Sequence, residues 1–170
     1  MSLFAPRGDA MRAFNGALYR ILRFLITLLL ALLIVPVTLQ IFSRYIGIIP
    51  RYIWTEEVAR FCLIWIIMLG AIIAVREGTH FELDILPQPS TARGRAVSRM
   101  VVYAGIGIVA LIFVVFGYRF AMFGWDQNSE LTGLNMLTIH IAWPFSGAAM
   151  LLFLAEKVAD EVVALRGDRS

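Results

Sequence analysis

The chain has 170 residues, 60% hydrophobic and 16% charged, with a mean hydropathy of +0.80. A soluble domain carries roughly a quarter charged residues, so this balance indicates an integral membrane protein and leaves little sequence for a separate catalytic domain. The net charge of +3 comes from basic residues set beside apolar runs, which points to anionic phospholipid headgroups and membrane orientation, with no nucleic acid as partner.

Arg7, Arg12, Arg20 and Arg23 precede a run from Phe24 to Phe42 that holds no charge until Arg44. The run exceeds the about 7 to 15 apolar residues of a signal peptide and ends in Gln40-Ile-Phe-Ser-Arg44 instead of a small-residue cleavage site. It reads as an uncleaved first span, about residues 21–43. Pro36 inside it should loosen one turn, which membrane helices tolerate. Gly47 and Pro50 then mark a short connection.

Thr55 is placed to cap the next helix, and Glu56 and Glu57 fall in its first turn, where the helix dipole favours carboxylates. Glu56 and Arg60 stand one turn apart and are able to pair. The uncharged stretch from Phe61 to Val75 has only 15 residues. At 1.5 Å per residue it covers about 22 Å of a hydrocarbon core roughly 30 Å thick. The second span, about 56–76, must therefore take Glu56, Glu57 and Arg60 to the bilayer edge. Those carboxylates either face water as a capped helix start or are buried against protein, and the short uncharged stretch favours burial.

Arg76 opens a connection in which Pro87 and Pro89 end any short helix through Phe81 to Leu86, and Ser90 is placed to cap the next helix. Arg93, Arg95 and Arg99 then sit where a helix dipole disfavours cations, so anionic lipid or an acidic partner surface should hold them. The third span runs over about 97–119, with Gly105 and Gly107 as a small-residue patch for another helix. A polar loop from Gly124 to Asn135 leads to the fourth span, about 136–157, interrupted by His140 and Pro144.

The fold class expected is an all-α membrane protein with four transmembrane helices in a single domain. Basic residues fix its orientation: four arginines before the first span, four between the second and third, and three basic residues from Lys157 onward, against Arg44, Arg51 and Arg119 in the other two loops. Both termini are therefore expected in the cytoplasm.

The chemistry is sparse. H-E-x-x-H, G-x-S-x-G, P-loop and C-x-x-C patterns are all missing, so no enzyme activity and no cofactor are expected. Cys62 is the one cysteine and reads as a small buried apolar residue. A membrane cytochrome needs paired axial histidines, but His80 and His140 fall at opposite ends of the expected spans. A metal site at His80, Glu82 and Asp84 would need a geometry the sequence does not indicate. His140 reads as a histidine hydrogen-bonded inside the bundle, and the four tryptophans need no more than the aromatic belt of a membrane interface. No Asp or Glu stands in the middle of any span, which argues against a small antiporter with a central carboxylate.

The succession Phe42-Ser43-Arg44-Tyr45, Trp54-Thr55-Glu56-Glu57, Leu69-Gly70-Ala71, Arg76-Glu77-Gly78-Thr79-His80 and Asp84 resembles the small membrane subunit of tripartite ATP-independent periplasmic (TRAP) transporters, the DctQ-like small permease family. Ser129, Pro144 and Gly147 fit more loosely, and the Leu-Pro-x-Trp often found before the last span is replaced by Leu134-Asn135-Met136-Leu137. The resemblance implies a scaffold subunit in the bacterial inner membrane, beside a large multispan membrane subunit and a periplasmic substrate-binding protein. Together these would import organic acids such as dicarboxylates, keto acids or sialic acids with sodium. It makes Arg44, Trp54, Glu56, Glu57, Arg60, Gly70, Arg76, His80 and Asp84 candidates for fold and subunit contacts, none of them a substrate ligand. The competing reading is a self-sufficient small transporter or membrane enzyme.

Overall fold

The computed structural model describes residues 6–46, 52–78, 92–130 and 132–167. They form α1 (Pro6–Tyr45), α2 (Trp54–Glu77), α3 (Ala92–Trp125), a single-turn α4 (Leu137–His140) and α5 (Ala142–Gly167). Four helical segments are long and apolar enough to cross a membrane: Arg12–Tyr45, Trp54–Glu77, Ser98–Trp125 and Leu137–Val162. At 40 residues α1 is about 60 Å long, twice the hydrocarbon thickness, so its first turns continue past the apolar run that defines the span. It stays helical through Pro36. Thr55 does not cap α2 with its side chain; its hydroxyl donates to the Tyr52 carbonyl at 2.7 Å, because Ile53, already helical, takes the N-cap position. The C-terminus of α2 is closed by Gly78 at φ 75°, whose N–H bonds the Ala74 carbonyl, a left-handed cap that only glycine adopts readily.

The helices lie in the order α1, α2, α5, α3 across the bundle. α1 packs along α2, α2 along α5 and α5 along α3, while α2 and α3 hardly touch. Half of the apolar stretch of the last span is buried against 6% of the first, so α5 is the central helix and α1 and α3 are the flanks. The main hydrophobic cluster of the bundle is Leu22, Leu69, Ile72, Val75, Ala110, Ala149, Met150 and Phe153.

In lipid no hydrophobic drive selects one apolar helix face over another, and small residues decide how closely helices approach. The expected patch at Gly105 and Gly107 is not the close contact: a Cβ on Gly105 would meet nothing within 4 Å, and one on Gly107 only Leu154 at 3.4 Å. The close approach lies further along α3. A Cβ on Gly117 would come within 2.8 Å of the Pro144 nitrogen, one on Gly147 within 2.6 Å of the Ala110 carbonyl oxygen, and one on Gly124 would collide with the His140 ring. Pro144, which reads in the sequence as an interruption, thus forms part of the contact surface.

Gly147→Ala should lower the thermal stability of the detergent-solubilised chain by about 1–3 kcal/mol through overpacking. Gly105→Ala should be neutral or gain up to ~1 kcal/mol from helix propensity.

Candidate functional site at the two ends of the second span

The side chains that carry charge gather at the two ends of α2. At the end where α1 begins and α5 finishes, Arg76 is the hub. One guanidinium nitrogen donates to the Asn15 carbonyl on α1 at 2.9 Å and stands 3.8 Å from the Glu156 carboxylate on α5. Its guanidinium lies 5.0 Å from the centre of the Tyr19 ring and 4.9 Å from that of Phe153, a stacked, part-buried arrangement that suits arginine better than lysine. The wholly buried Asn15 amide donates to Glu156 at 2.6 Å, and the Tyr19 hydroxyl donates to Glu77.

Two exposed pairs frame this hub: Arg12 with Asp160 at 2.7 Å and Arg99 with Glu161 at 2.7 Å. The acidic surface that the sequence demands for Arg99 therefore belongs to this chain's own last helix. The side chains of Arg93 and Arg95 lie outside the described ones.

At the opposite end the two adjacent carboxylates separate. Glu56 faces outward and pairs loosely with Arg60 at 3.4 Å, both exposed. Glu57, only 8% exposed, turns inward to the Ser129 and Thr132 side chains of the loop between α3 and α4. Its Oε2 finds no hydrogen-bond donor among the described residues. That loop is internally tied: the Ser129 N–H bonds the Leu134 carbonyl, the Met136 N–H bonds the Gln127 carbonyl, and Gly133 turns at φ 69°.

Asn135 joins the loop to the helices on both sides, its amide donating to the Trp125 carbonyl and its Oδ1 accepting the Leu137 N–H, each at 2.8 Å. The departure Leu134-Asn135-Met136-Leu137 thus carries its own turn chemistry. Trp65 does more than line an interface. Its indole donates to the Thr138 carbonyl at 3.0 Å, tying α2 to α4. His140 is buried with its ring 3.9 Å from that of Phe120, and its Nδ1 has no hydrogen-bond partner among the described residues.

The remaining candidates divide by position. Arg44 and Trp54 are exposed at the Glu57 end, the Trp54 ring tilted 6.1 Å from Tyr52. Gly70 lies between α1 and α2, where a Cβ would stand 3.6 Å from Ile26, ordinary contact distance; the tight approaches lie between α3 and the last span. His80 and Asp84, and with them Glu82, Pro87, Pro89 and Ser90, lie outside the described residues. Sequence reasoning missed Asn15, Tyr19 and Glu156. Asn15 and Tyr19 lie on the helical stripe of Leu18, Leu22, Ile26 and Leu29 that packs on the core, a signal the long apolar run hides. No group of three or more His, Cys, Asp or Glu side chains able to hold a metal is found among the described residues.

Removing Arg76 from α2 strips α1 and α5 of a shared partner. Arg76→Ala should destabilise the chain by about 1–3 kcal/mol, below the figure for a fully buried pair because this one is partly wet, whereas Arg12→Ala should leave the melting temperature unchanged within error. Glu57→Ala should release the loop before α4, read as faster proteolysis between residues 126 and 136.

With this geometry in view, comparison with known proteins gives a consistent result. The family model for the DctQ component of tripartite ATP-independent periplasmic transporters matches residues 33–164. The chain is similar to the sialic acid TRAP transporter small permease protein SiaQ of Vibrio cholerae, 27% identical over 146 residues that make up 82% of this chain and 80% of that protein. It is 30% identical over 91 residues to a TRAP transporter small permease protein of Haemophilus influenzae, covering 54% of this chain and 56% of that one. It also matches the isethionate TRAP transporter permease protein DctMQ of Oleidesulfovibrio alaskensis, 32% identical over 84 residues, 46% of this chain but only 13% of that much longer protein.

Proposed function

This chain belongs to the DctQ component family of tripartite ATP-independent periplasmic transporters, and we propose that it is the fixed scaffold subunit of a sodium-coupled importer of organic acids in the bacterial inner membrane. Its partners are a large multispan permease subunit and a periplasmic substrate-binding protein. The observation that carries this reading is the separation of charge from core. Between Arg60 and Arg76 in α2, and between His140 and Glu156 in the last span, no ionisable side chain other than Cys62 occurs, and the centre of the bundle is filled by Leu69, Ile72, Ala149, Met150 and Phe153. A carrier of ions and carboxylates needs polar groups near the midplane; this chain keeps its own at the ends and leaves that chemistry to the larger subunit. The match to a small part of the long DctMQ permease supports the same pairing, with small and large parts in one polypeptide there.

With both termini in the cytoplasm, the Arg76 cluster lies at the cytoplasmic edge and Glu57 with its loop at the periplasmic edge. Arg76 and Glu57 then act on assembly through this chain's own architecture. The exposed Arg44, Trp54, Glu56 and Arg60 are the groups free to meet a neighbour, with His80 and Asp84 as further contacts after Gly78.

Reconstitution tests the reading directly. The chain alone in proteoliposomes should take up no organic acid. Together with its large subunit and binding protein it should do so under an inward sodium gradient and stop when potassium replaces sodium. In the same preparations, Arg44→Ala with Trp54→Ala should reduce copurification of the large subunit without lowering the melting temperature. Uptake by the isolated chain would overturn the scaffold role and favour a self-sufficient transporter.

A further inference from the structure

Because α2 and α3 both pack on α5 but hardly on each other, a groove is left between them. Ala71 and Val75 form one wall, Val102, Gly105, Ile106 and Val109 the other, and Met150 the floor. Its volume is about 360 Å³ and its lining is almost wholly apolar. The stretch from Val102 to Val109 is about 10 Å long, two turns of α3. An apolar slot of this length and volume is wide enough for an alkyl chain.

One end of this groove carries a cation. Lys157 follows Met150 by seven residues, nearly two turns on the same helix face, and its Nζ lies 3.0 Å from where a Cβ on Gly78 would stand, one turn beyond Val75. Among the described residues the carboxylates around it are engaged elsewhere: Glu77 by Tyr19, Glu156 by Asn15 and Arg76, Asp160 by Arg12 and Glu161 by Arg99. No hydrogen bond or ion pair reaches the half-buried Lys157 from the described residues, and Arg76 is a nearby like charge. A basic end on an apolar slot between spans suits an anionic lipid, whose phosphate answers the ammonium while its chain fills the slot.

The geometry points to a bound anionic phospholipid, one acyl chain lying between α2 and α3 over Met150 and the headgroup phosphate on Lys157. The site needs no transport activity and stands apart from the scaffold role. It is tested on the full chain, with its permease partner where the two copurify, reconstituted in equimolar phosphatidylethanolamine and phosphatidylglycerol, re-extracted and examined by native mass spectrometry. Wild type should retain a single phosphatidylglycerol after annular lipid is stripped.

Gly105→Phe fills open space instead of pressing on a neighbouring helix, so it should lose that lipid with helix content and melting temperature unchanged. Lys157→Gln should keep a lipid but lose about fivefold in its preference for phosphatidylglycerol. Equal lipid retention by wild type and Gly105→Phe overturns the proposal, as does a wild-type chain that retains none. Unchanged lipid with loss of the copurifying permease from Gly105→Phe would assign the groove to a protein side chain and overturn it equally.

Discussion

A cation at the end of a membrane helix must find its partners within the protein or at the lipid headgroups, and Arg76 on α2 finds them on two other helices at once. Lipid tails are as apolar as leucine, so burial alone does not tell one span where to lie against another. Arg76 does: its guanidinium takes a carbonyl of α1, a carboxylate of α5 and two aromatic rings. This fixes α2 between the other two helices and sets their relative depth. Arg99 with Glu161 adds α3 to the same end.

Packing completes what the polar clamp begins. Between α3 and α5 the backbones approach so closely at Gly117 and Gly147 that no side chain fits. Between α1 and α2 the contact is made by larger side chains, with Ile26 over Gly70. The second pair is the looser one, and α1 leaves most of its apolar length uncovered. Such a flank agrees with the proposed place beside a larger membrane protein, and the apolar groove between α2 and α3 suits the proposed lipid chain.

The two ends of α2 differ in design. At the Arg76 end, side chains of three helices converge on one another. At the Glu57 end a single carboxylate reaches into a short loop, whose own hydrogen bonds and Asn135 hold it against α3 and α4. Helix positions are set at the first end and loop shape at the second. The exposed Glu56 and Arg60 pair contributes little to either, as wet ion pairs do.

The sequence by itself determined the membrane class, the four spans and the crowding of charge toward their ends, because hydrophobic length and charge placement are local properties of the chain. The short uncharged stretch from Phe61 to Val75 was enough to place Glu57 and Arg76 inside one helix, and the order of motifs around it marked the family. Partners were another matter. That Arg76 answers Asn15 and Glu156, residues 61 and 80 positions away, that Glu57 turns inward while Glu56 does not, and that the tight glycines are 117, 124 and 147 instead of 105 and 107 all depend on which helix faces meet. Helices uniformly apolar around their circumference carry no periodic signal for the buried face. Only the assembled bundle, where polar groups had to be satisfied and backbones had to fit, decided it.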